Sequence, residues 1–209
     1  MIVAIDGPAG TGKSTVARQL AERLGFRYLD TGAMYRALTW LALERGVDLD
    51  DEEAMASLAQ ESETRFDQDR ISIAGRDVTG VIRTAEIDRV VSSVARHPAV
   101  RAVLRERQRI LAEEGNAVME GRDIGSVVVP DADVKIYLVA DAEVRARRRE
   151  GERPGIGADA LATDLRLRDE RDAYQLRPAP DAQTIDTTEL SIDEVVERIE
   201  DAVTAHSRA

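Results

Sequence analysis

The sequence contains no cysteine, only two histidines and only two lysines among its 209 residues. The lack of cysteine excludes disulfide bonds and thiolate metal sites, and His97 and His206 are too few to form a histidine metal cluster. No apolar run approaches the ~20 residues of a membrane span, and the N-terminus lacks the charged region and apolar core of a signal peptide. We therefore expect a cytoplasmic protein that does not bind a membrane.

Positive charge is also scarce, because 29 lysines and arginines face 40 acidic residues and leave a net charge of −11. This balance disfavours polymeric nucleic acid or an anionic membrane as the main partner. It does not disfavour a nucleotide, because a small anion is bound by local positive groups rather than by net charge. A length of 209 residues suits one α/β domain, 1–209, and the absence of an apolar stripe that demands a partner favours a monomer.

A phosphate-binding pattern, G-x-x-x-x-G-K-[ST], stands near the N-terminus. It follows a short apolar run, Ile2–Ile5, and precedes a helical pattern, which is the order strand, loop, helix. Glycines let backbone N–H groups turn inward around phosphate oxygens, and the helix directs its positive N-terminus at the same anion. Lys13 can reach the β- and γ-phosphates of ATP, and Ser14 can bind Mg²⁺. The alternative is a glycine-rich turn with a stray lysine. The loop consists of Gly7, Pro8, Ala9, Gly10, Thr11, Gly12, Lys13, Ser14 and the adjoining Thr15.

Strand patterns alternate with helix patterns along the rest of the chain. This alternation predicts an α/β fold with a central parallel sheet flanked by helices, in which ligands bind at the carboxyl ends of the strands. The phosphate loop, Thr31-Gly32 and Gly121-Arg122-Asp123 all follow predicted strands. Strands are predicted at 2–5, 26–30, 117–120, 134–140 and 183–186, a hairpin at 70–78, a loop from Gly151 to Gly157, and helices at 13–24, 33–45, 51–60, 84–96, 98–114, 158–175 and from residue 192.

Charged residues near these strand ends have two interpretations. Arg36 lies one turn into a helix, where its guanidinium can bind a phosphate, or it is a surface arginine beside a core tyrosine. Arg122 suits a phosphate, and Asp123 can accept a hydrogen bond from an exocyclic amine or lie near Mg²⁺. The alternative for this second pair is a turn with an internal ion pair. The position of this pair beside a phosphate loop favours ligand binding over a purely structural turn.

Two further groups of charged residues lie on predicted helices. Arg145 and Arg148 belong to an arginine-rich segment that can close over ATP and neutralise the transferring phosphoryl group, or that forms a solvated helix face. Arg168 and Asp172 are four residues apart and therefore share a helix face. They can bind a phosphate and a sugar, or form an intrahelical salt bridge.

Taken together, these motifs resemble the bacterial cytidylate kinase family from residue 2 to about residue 200. The resemblance implies a P-loop NTPase core with a small monophosphate-binding insert at about 60–98 and a lid region at about 145–172. The predicted hairpin coincides with that insert. The motifs that carry the resemblance are the phosphate loop with its preceding Ile5-Asp6, Leu29–Arg36, Gly80–Thr84, Gly121–Gly125 and Arg168–Asp172.

The resemblance also implies roles for individual residues. Ser92, Arg101 and Asp123 would read cytosine, since its amine suits a carboxylate and its ring acceptors suit donors. Arg36, Arg122 and Arg168 would hold the phosphate of CMP, while Thr31 and Asp172 would face its sugar. Arg145 and Arg148 match the lid helix. The chain departs from the family at Gln175, where the family carries arginine. Either Arg177 replaces the missing charge or the contact is lost.

The resulting hypothesis is in-line transfer of the γ-phosphoryl group of Mg·ATP to CMP or dCMP, catalysed mainly by positioning and charge neutralisation. Lys13, Arg122, Arg145 and Arg148 would carry the catalytic charge. Two alternatives are open: another small-molecule P-loop kinase, of the UMP/CMP or adenylate type, and a regulatory module that binds ATP without transferring phosphate.

Overall fold

The computed structural model describes residues 1–67, 70–152 and 157–208. Strands and helices alternate along most of this chain, as the sequence pattern predicts. The strands are β1 (Ile2–Asp6), β2 (Arg27–Asp30), β3 (Thr64–Asp67), β4 (Arg70–Ile73), β5 (Arg76–Asp77), β6 (Ala117–Gly121), β7 (Val134–Val139) and β8 (Gln183–Asp186). The helices are α1 (Lys13–Leu24), α2 (Thr31–Arg45), α3 (Glu52–Glu61), α4 (Ala85–Val94), α5 (Pro98–Glu113), α6 (Ala142–Glu152), α7 (Ala158–Asp172) and α8 (Ile192–Ser207).

The chain divides into two compact units. Unit 1 comprises Met1–Tyr28 and Gly115–Ala209, and unit 2 comprises Leu29–Glu114. In the described part of the chain, no helix is both long and apolar enough to cross a membrane.

Unit 1 is built on a parallel sheet with the strand order β2-β6-β1-β7-β8, of which β2 continues into unit 2. The central strand β1 pairs in parallel with β6 and with β7, and β7 pairs in parallel with β8. Apolar residues of α1 and α8 pack with those of the strands in one core, which includes the fully buried Leu20, Ile136 and Ile199. Because the strands are parallel, their carboxyl ends all lie along one edge of the sheet.

Unit 2 is mainly helical. Its core joins side chains of α2, α3, α4 and α5 to Ile71 and Ile73 of a small antiparallel sheet, β3-β4-β5. The predicted hairpin is confirmed: β4 and β5 pair through a turn at Ala74-Gly75, where both residues have positive φ. The third strand, β3, lies outside the predicted hairpin.

Helix ends follow local signals closely. Gly25 and Gly46 end α1 and α2 in left-handed conformations, and Pro98 separates α4 from α5, as expected. Some local predictions are wrong. The helix predicted at 33–45 begins two residues earlier, at Thr31, because the Asp30 side chain accepts the Ala33 N–H and caps the helix there. The helix predicted at 158–175 ends at Asp172. Gly151 lies within α6 rather than in a loop, while residues 153–156 of that predicted loop lie outside the described residues.

Candidate active site

The phosphate loop leaves the carboxyl end of β1 and enters α1. Gly12 caps α1 in a left-handed conformation, with no side-chain cap and no acidic residue in the first turn, so the first N–H groups of α1 are left for a ligand. Gly7 has a φ of 146°, and a Cβ atom there would stand 2.2 Å from the carbonyl oxygen of Leu138. The loop therefore packs directly on the backbone of β7. A larger residue at position 7 cannot be accommodated.

Four cationic side chains donate to four different carbonyl oxygens of this loop. Arg122 donates to the Gly7 carbonyl at 3.0 Å, and Lys13 donates to that of Pro8 at 2.7 Å. Arg145 and Arg148 donate to the carbonyls of Ala9 and Thr11 at 3.1 and 3.4 Å. These are the four side chains predicted to carry the catalytic charge, and the fold brings all of them to one loop. Their hydrogen bonds occupy carbonyl oxygens of the loop that would otherwise repel an anion.

Burial governs the electrostatics of Lys13. Burial is the main cause that lowers the pKa of its ammonium group to about 7, with a further contribution from the nearby Arg122, while Glu120 acts in the opposite direction. A protonated ammonium group in this position is short of negative charge. An anion such as a nucleotide phosphate would supply that charge and favour the protonated form.

Ser14 faces a carboxylate that the sequence analysis did not single out. Its hydroxyl donates to Oε2 of the buried Glu120 at 2.9 Å, and the Tyr28 hydroxyl donates to Oε1 of the same carboxylate. A hydroxyl and a carboxylate are the oxygen ligands that Mg²⁺ prefers. In residues 1–67, 70–152 and 157–208 no group of three or more His, Asp or Glu side chains could hold a metal. The fit is therefore to an ion that brings further oxygens with its nucleotide.

Asp6 ties β1 to the Gly121-Arg122-Asp123 segment. Its two carboxylate oxygens accept the N–H groups of Ile124 and Gly125, both at 2.8 Å. Burial raises the pKa of this carboxyl to about 6, although the two backbone hydrogen bonds oppose the rise. The chain after Asp123 makes a single π-helical turn, Ile124–Val128. Asp6 thereby sets the position of Arg122 and Asp123 at the end of β6.

Arg122 and Arg168 converge on one carboxylate. Arg122 Nε donates to Asp172 Oδ2 at 3.2 Å, and Arg168 Nε lies 3.7 Å from the same oxygen. The predicted intrahelical pair of Arg168 and Asp172 exists, but the closer partner of Asp172 is Arg122, which directly follows β6. Asp172 therefore holds two of the three arginines assigned to the acceptor phosphate.

Arg145 and Arg148 are not part of a solvated helix face. Arg145 also donates to Asp169 of α7 at 2.6 Å, and its side chain is 12% exposed. Arg148 donates to the carbonyl oxygen and the hydroxyl of Thr187 at 2.6 and 3.0 Å. Burial lowers the pKa of the Arg148 guanidinium. Arg145 and Arg148 therefore each link the loop to a neighbouring segment of unit 1.

In unit 2, predicted acceptor residues lie at the start of α2. Thr31 is buried as the first residue of this helix, directly after Asp30, which also accepts from Arg83 at 2.7 Å. Arg36, one turn later, forms an ion pair with Asp88 of α4 and lies 3.4 Å from the carbonyl oxygen of Ile82. Its side chain is 11% exposed, so the interpretation of Arg36 as a surface arginine is wrong.

The two residues of unit 2 that are predicted to read the base are also buried. Ser92 lies on α4 and Arg101 on α5. The Arg101 guanidinium donates to the Ala95 carbonyl at 3.2 Å and stands 5.8 Å from the centre of the Tyr35 ring. Buried serine and arginine side chains within one unit are consistent with a polar ligand, but such groups also serve to join helices.

A model of the cytidylate kinase family matches residues 3–205, nearly the whole chain. The chain belongs to the cytidylate kinase family. It is 50% identical to a protein of Shouchella clausii named cytidylate kinase, over 99% of this chain and 97% of that protein. It is 49% identical to a cytidylate kinase of Geobacillus kaustophilus, over 96% of this chain and 95% of that protein.

Solved structures agree on the fold at low sequence identity. A shikimate kinase from Acinetobacter baumannii in complex with shikimate matches with a TM-score of 0.52 and 16% identity, covering 98% of this chain and 93% of that one. At this identity the likeness shows a P-loop kinase fold alone. Membership of the cytidylate kinase family makes the chain an ATP-dependent phosphotransferase that acts on small-molecule nucleotides.

The residues that sequence reasoning missed are the partners of the family motifs. Glu120 carried a signal, since it is an acidic residue at the end of an otherwise apolar strand directly before Gly121. Asp88 and Thr187 carried none, because a polar residue on a helix or after a strand is ordinary. At the position where the chain departs from the family, Gln175 is buried and Arg177 is exposed.

Proposed function

We propose that this chain transfers the γ-phosphoryl group of Mg·ATP to CMP or dCMP and releases ADP with CDP or dCDP. The observation that carries the proposal is the set of four cations on the phosphate loop, in a chain of the cytidylate kinase family. Reaction between two phosphate groups concentrates negative charge, so a site rich in fixed positive charge suits it.

Ser14 and Glu120 would hold Mg²⁺, which when bound neutralises charge on the β- and γ-phosphates. The Tyr28 hydroxyl, bonded to the second oxygen of Glu120, would keep that carboxylate turned toward Ser14. Lys13 would leave the Pro8 carbonyl, 2.7 Å away, for the phosphates of ATP. The N–H groups of the loop and of α1 would cradle the β-phosphate.

The acceptor would be held by Arg36, Arg122 and Arg168 at its phosphate and by Thr31 and Asp172 at its sugar. Ser92, Arg101 and Asp123 would read the base. Support for these roles is the match to family motifs together with the burial of Thr31, Ser92, Arg101, Asp123 and Asp172. A carboxylate at position 123 accepts from the amine of cytosine and would repel the carbonyl that uracil presents there.

Domain organisation, oligomeric state and location complete the proposal. Residues of about 60–98 would form the monophosphate-binding insert, and those of about 145–172 would form a lid, within one kinase domain of residues 1–209. The enzyme would act as a monomer in the cytoplasm, where free nucleotides are found. Arg145 and Arg148 would bring the charge of the lid to the transferring group.

The decisive experiment measures ADP release from Mg·ATP with CMP, dCMP, UMP, AMP, GMP and shikimate in turn. We expect the highest kcat/KM with CMP or dCMP. Preferential turnover of AMP or another acceptor would overturn the roles proposed for Ser92, Arg101 and Asp123. The role proposed for the phosphate loop in binding ATP would stand. ATP binding without turnover of any acceptor would indicate a regulatory protein instead.

A further inference from the structure

Thr187 is a buried polar residue that none of the family motifs contains. It follows β8 directly and is 2% exposed. Its N–H donates to the carbonyl oxygen of Val139, at the end of β7, at 2.8 Å. A hydroxyl group this deeply buried needs hydrogen-bond partners, because leaving it unsatisfied is costly.

The Thr187 hydroxyl has three hydrogen-bond partners among the described residues, but it carries a single proton. Its oxygen lies 3.2 Å from the Thr11 carbonyl oxygen, 3.1 Å from the Val139 carbonyl oxygen and 3.0 Å from Nη1 of Arg148. A guanidinium can only donate, so the hydroxyl accepts from Arg148 and donates to one of the two carbonyls. Both carbonyls accept another hydrogen bond, that of Val139 from the Thr187 N–H at 2.8 Å and that of Thr11 from Arg148 at 3.4 Å. Because the bond to Thr11 is the longer one, its carbonyl is the less satisfied of the two and gains more from the hydroxyl proton.

Thr187 and Thr11 together also orient Arg148. The guanidinium donates to the Thr187 carbonyl at 2.6 Å and to its hydroxyl at 3.0 Å, and Nη1 lies 3.4 Å from the Thr11 carbonyl. All three acceptors are neutral oxygens. A fork of two parallel hydrogen bonds onto one residue fixes the plane of a guanidinium as well as its position. The direction of Arg148 therefore depends on Thr187.

The Thr11 carbonyl matters because of the peptide group to which it belongs. A trans peptide is planar, with its C=O and the following N–H on opposite sides. Holding the Thr11 carbonyl at Thr187 therefore directs the Gly12 N–H to the other side of the same plane. If this peptide rotated, the loop would present a carbonyl oxygen where it now presents an N–H. Gly12, with a φ of 90°, has the backbone freedom for such a rotation.

We infer that Thr187 is a positioning residue for nucleotide binding: its hydroxyl fixes the Thr11–Gly12 peptide of the phosphate loop and orients Arg148. The inference rests on the proposed function in that the bound anion is the phosphate chain of ATP or ADP. It adds a residue beyond the family motifs, and one that would contact neither substrate directly.

The test compares Thr187→Val, which removes the hydroxyl at nearly constant shape, with Thr187→Ser, which keeps it. Dissociation constants for Mg·ADP are measured by isothermal titration calorimetry, followed by KM for ATP and for CMP. We expect Thr187→Val to weaken Mg·ADP binding about tenfold, as for loss of one buried hydrogen bond with its partner left unsatisfied. In Thr187→Val, KM for ATP should rise as Mg·ADP binding weakens, whereas KM for CMP should change less than about twofold. Thr187→Ser should bind Mg·ADP within about twofold of the parent.

Thr39→Val is the matched control. Thr39 is a buried threonine of α2, in unit 2, whose hydroxyl donates to the Tyr35 carbonyl at 2.8 Å. The same chemical change there should leave Mg·ADP binding as in the parent. If Thr187→Val does not fold, Thr187→Ala provides a second variant without the hydroxyl, and the same loss of ADP affinity is expected.

Three results would overturn the inference: parental Mg·ADP affinity in a folded variant without the hydroxyl, an equal loss in Thr187→Ser, or equal rises in KM for ATP and CMP. The second would indicate that the methyl group matters through packing. Failure of the proposed function is a separate outcome, because ADP binding is measured without an acceptor. A parent that binds ADP but phosphorylates no acceptor would refute the kinase assignment and leave the role of Thr187 standing.

Discussion

The two units of the molecule carry their charged groups on different kinds of structure. In unit 1, Asp6, Glu120 and Arg122 lie at or just beyond the carboxyl ends of parallel strands. Arg122 and three other cations donate to carbonyl oxygens of the adjoining loop. In unit 2, Arg36 and Arg101 lie on helices and contact other helices or the ends of helices. Position on the fold thus identifies a site in unit 1, whereas in unit 2 the same residue types also serve ordinary packing.

The largest expected effect concerns the two lysines of the chain, both in unit 1. Lys13→Ala should lower kcat more than ~100-fold, because it removes a major positive charge from the transferring phosphoryl group. Lys135→Ala is the matched control, since the Lys135 ammonium group donates to the Pro130 carbonyl and to Asp181, both outside the phosphate loop. Steady-state turnover with saturating Mg·ATP and CMP measures both. Near-parental turnover of Lys13→Ala would refute its catalytic role.

Titration of Asp6, in unit 1, makes the free energy of unfolding depend on pH. Its pKa is about 6 in the folded chain against an ordinary 3.8, so between those values the folded chain keeps a proton that the unfolded chain has lost. The contribution of Asp6 is therefore favourable at low pH and declines as pH rises through this window. At about 1.4 kcal/mol per pKa unit, the decline amounts to about 3 kcal/mol.

Asp6→Asn removes this titration. Relative to the variant, the parent should lose about 2 kcal/mol of unfolding free energy between about pH 4 and pH 7, measured by urea denaturation at each pH. The hydrogen bonds that asparagine cannot accept shift the variant by a constant amount and leave this slope unchanged. A pH-independent difference between parent and variant would show that Asp6 has an ordinary pKa.

Base selectivity connects the two units in a single measurement. Asp123→Asn, in unit 1, should reduce the ratio of kcat/KM for CMP over UMP by about tenfold, the effect of one misplaced hydrogen bond to a base. Ser92→Ala, in unit 2, should reduce the same ratio by a smaller factor, since one neutral hydrogen bond is lost. If selectivity changes in only one of the two variants, base reading belongs to that unit alone.

The smallest effect tests how unit 2 is held together away from any site. Asp51 caps α3 by accepting the Ala54 N–H at 3.0 Å, so Asp51→Ala should lower the unfolding free energy by about 1 kcal/mol and leave kcat unchanged. Asp50→Ala, at the exposed neighbouring position, is the control and should change neither quantity. An altered kcat in Asp51→Ala would place α3 closer to the chemistry than the proposal does.

Local chemistry explains what could be predicted before the structure. The Gly7–Ser14 pattern, Gly25, Gly46 and Pro98 each act on their own neighbourhood, so the loop and most helix boundaries followed from the sequence. The start of α2 was misjudged by two residues because Asp30, read as the end of a strand, is at the same time a helix cap. Gly151 did not end α6, since one glycine weakens a helix without necessarily breaking it.

By itself the sequence determined an α/β fold with a phosphate loop after its first strand, and its motifs identified the family. Both depend on short-range patterns: apolar periodicity, glycine spacing and the residues that follow a strand. Only the tertiary structure decided which oxygen each cation contacts and that Glu120 faces Ser14, Asp6 holds the turn after Asp123, and Thr187 reaches Thr11. These pairs are 106, 118 and 176 residues apart in the chain. No local propensity encodes such contacts, because they arise only when parallel strands bring their carboxyl ends to one edge of the sheet.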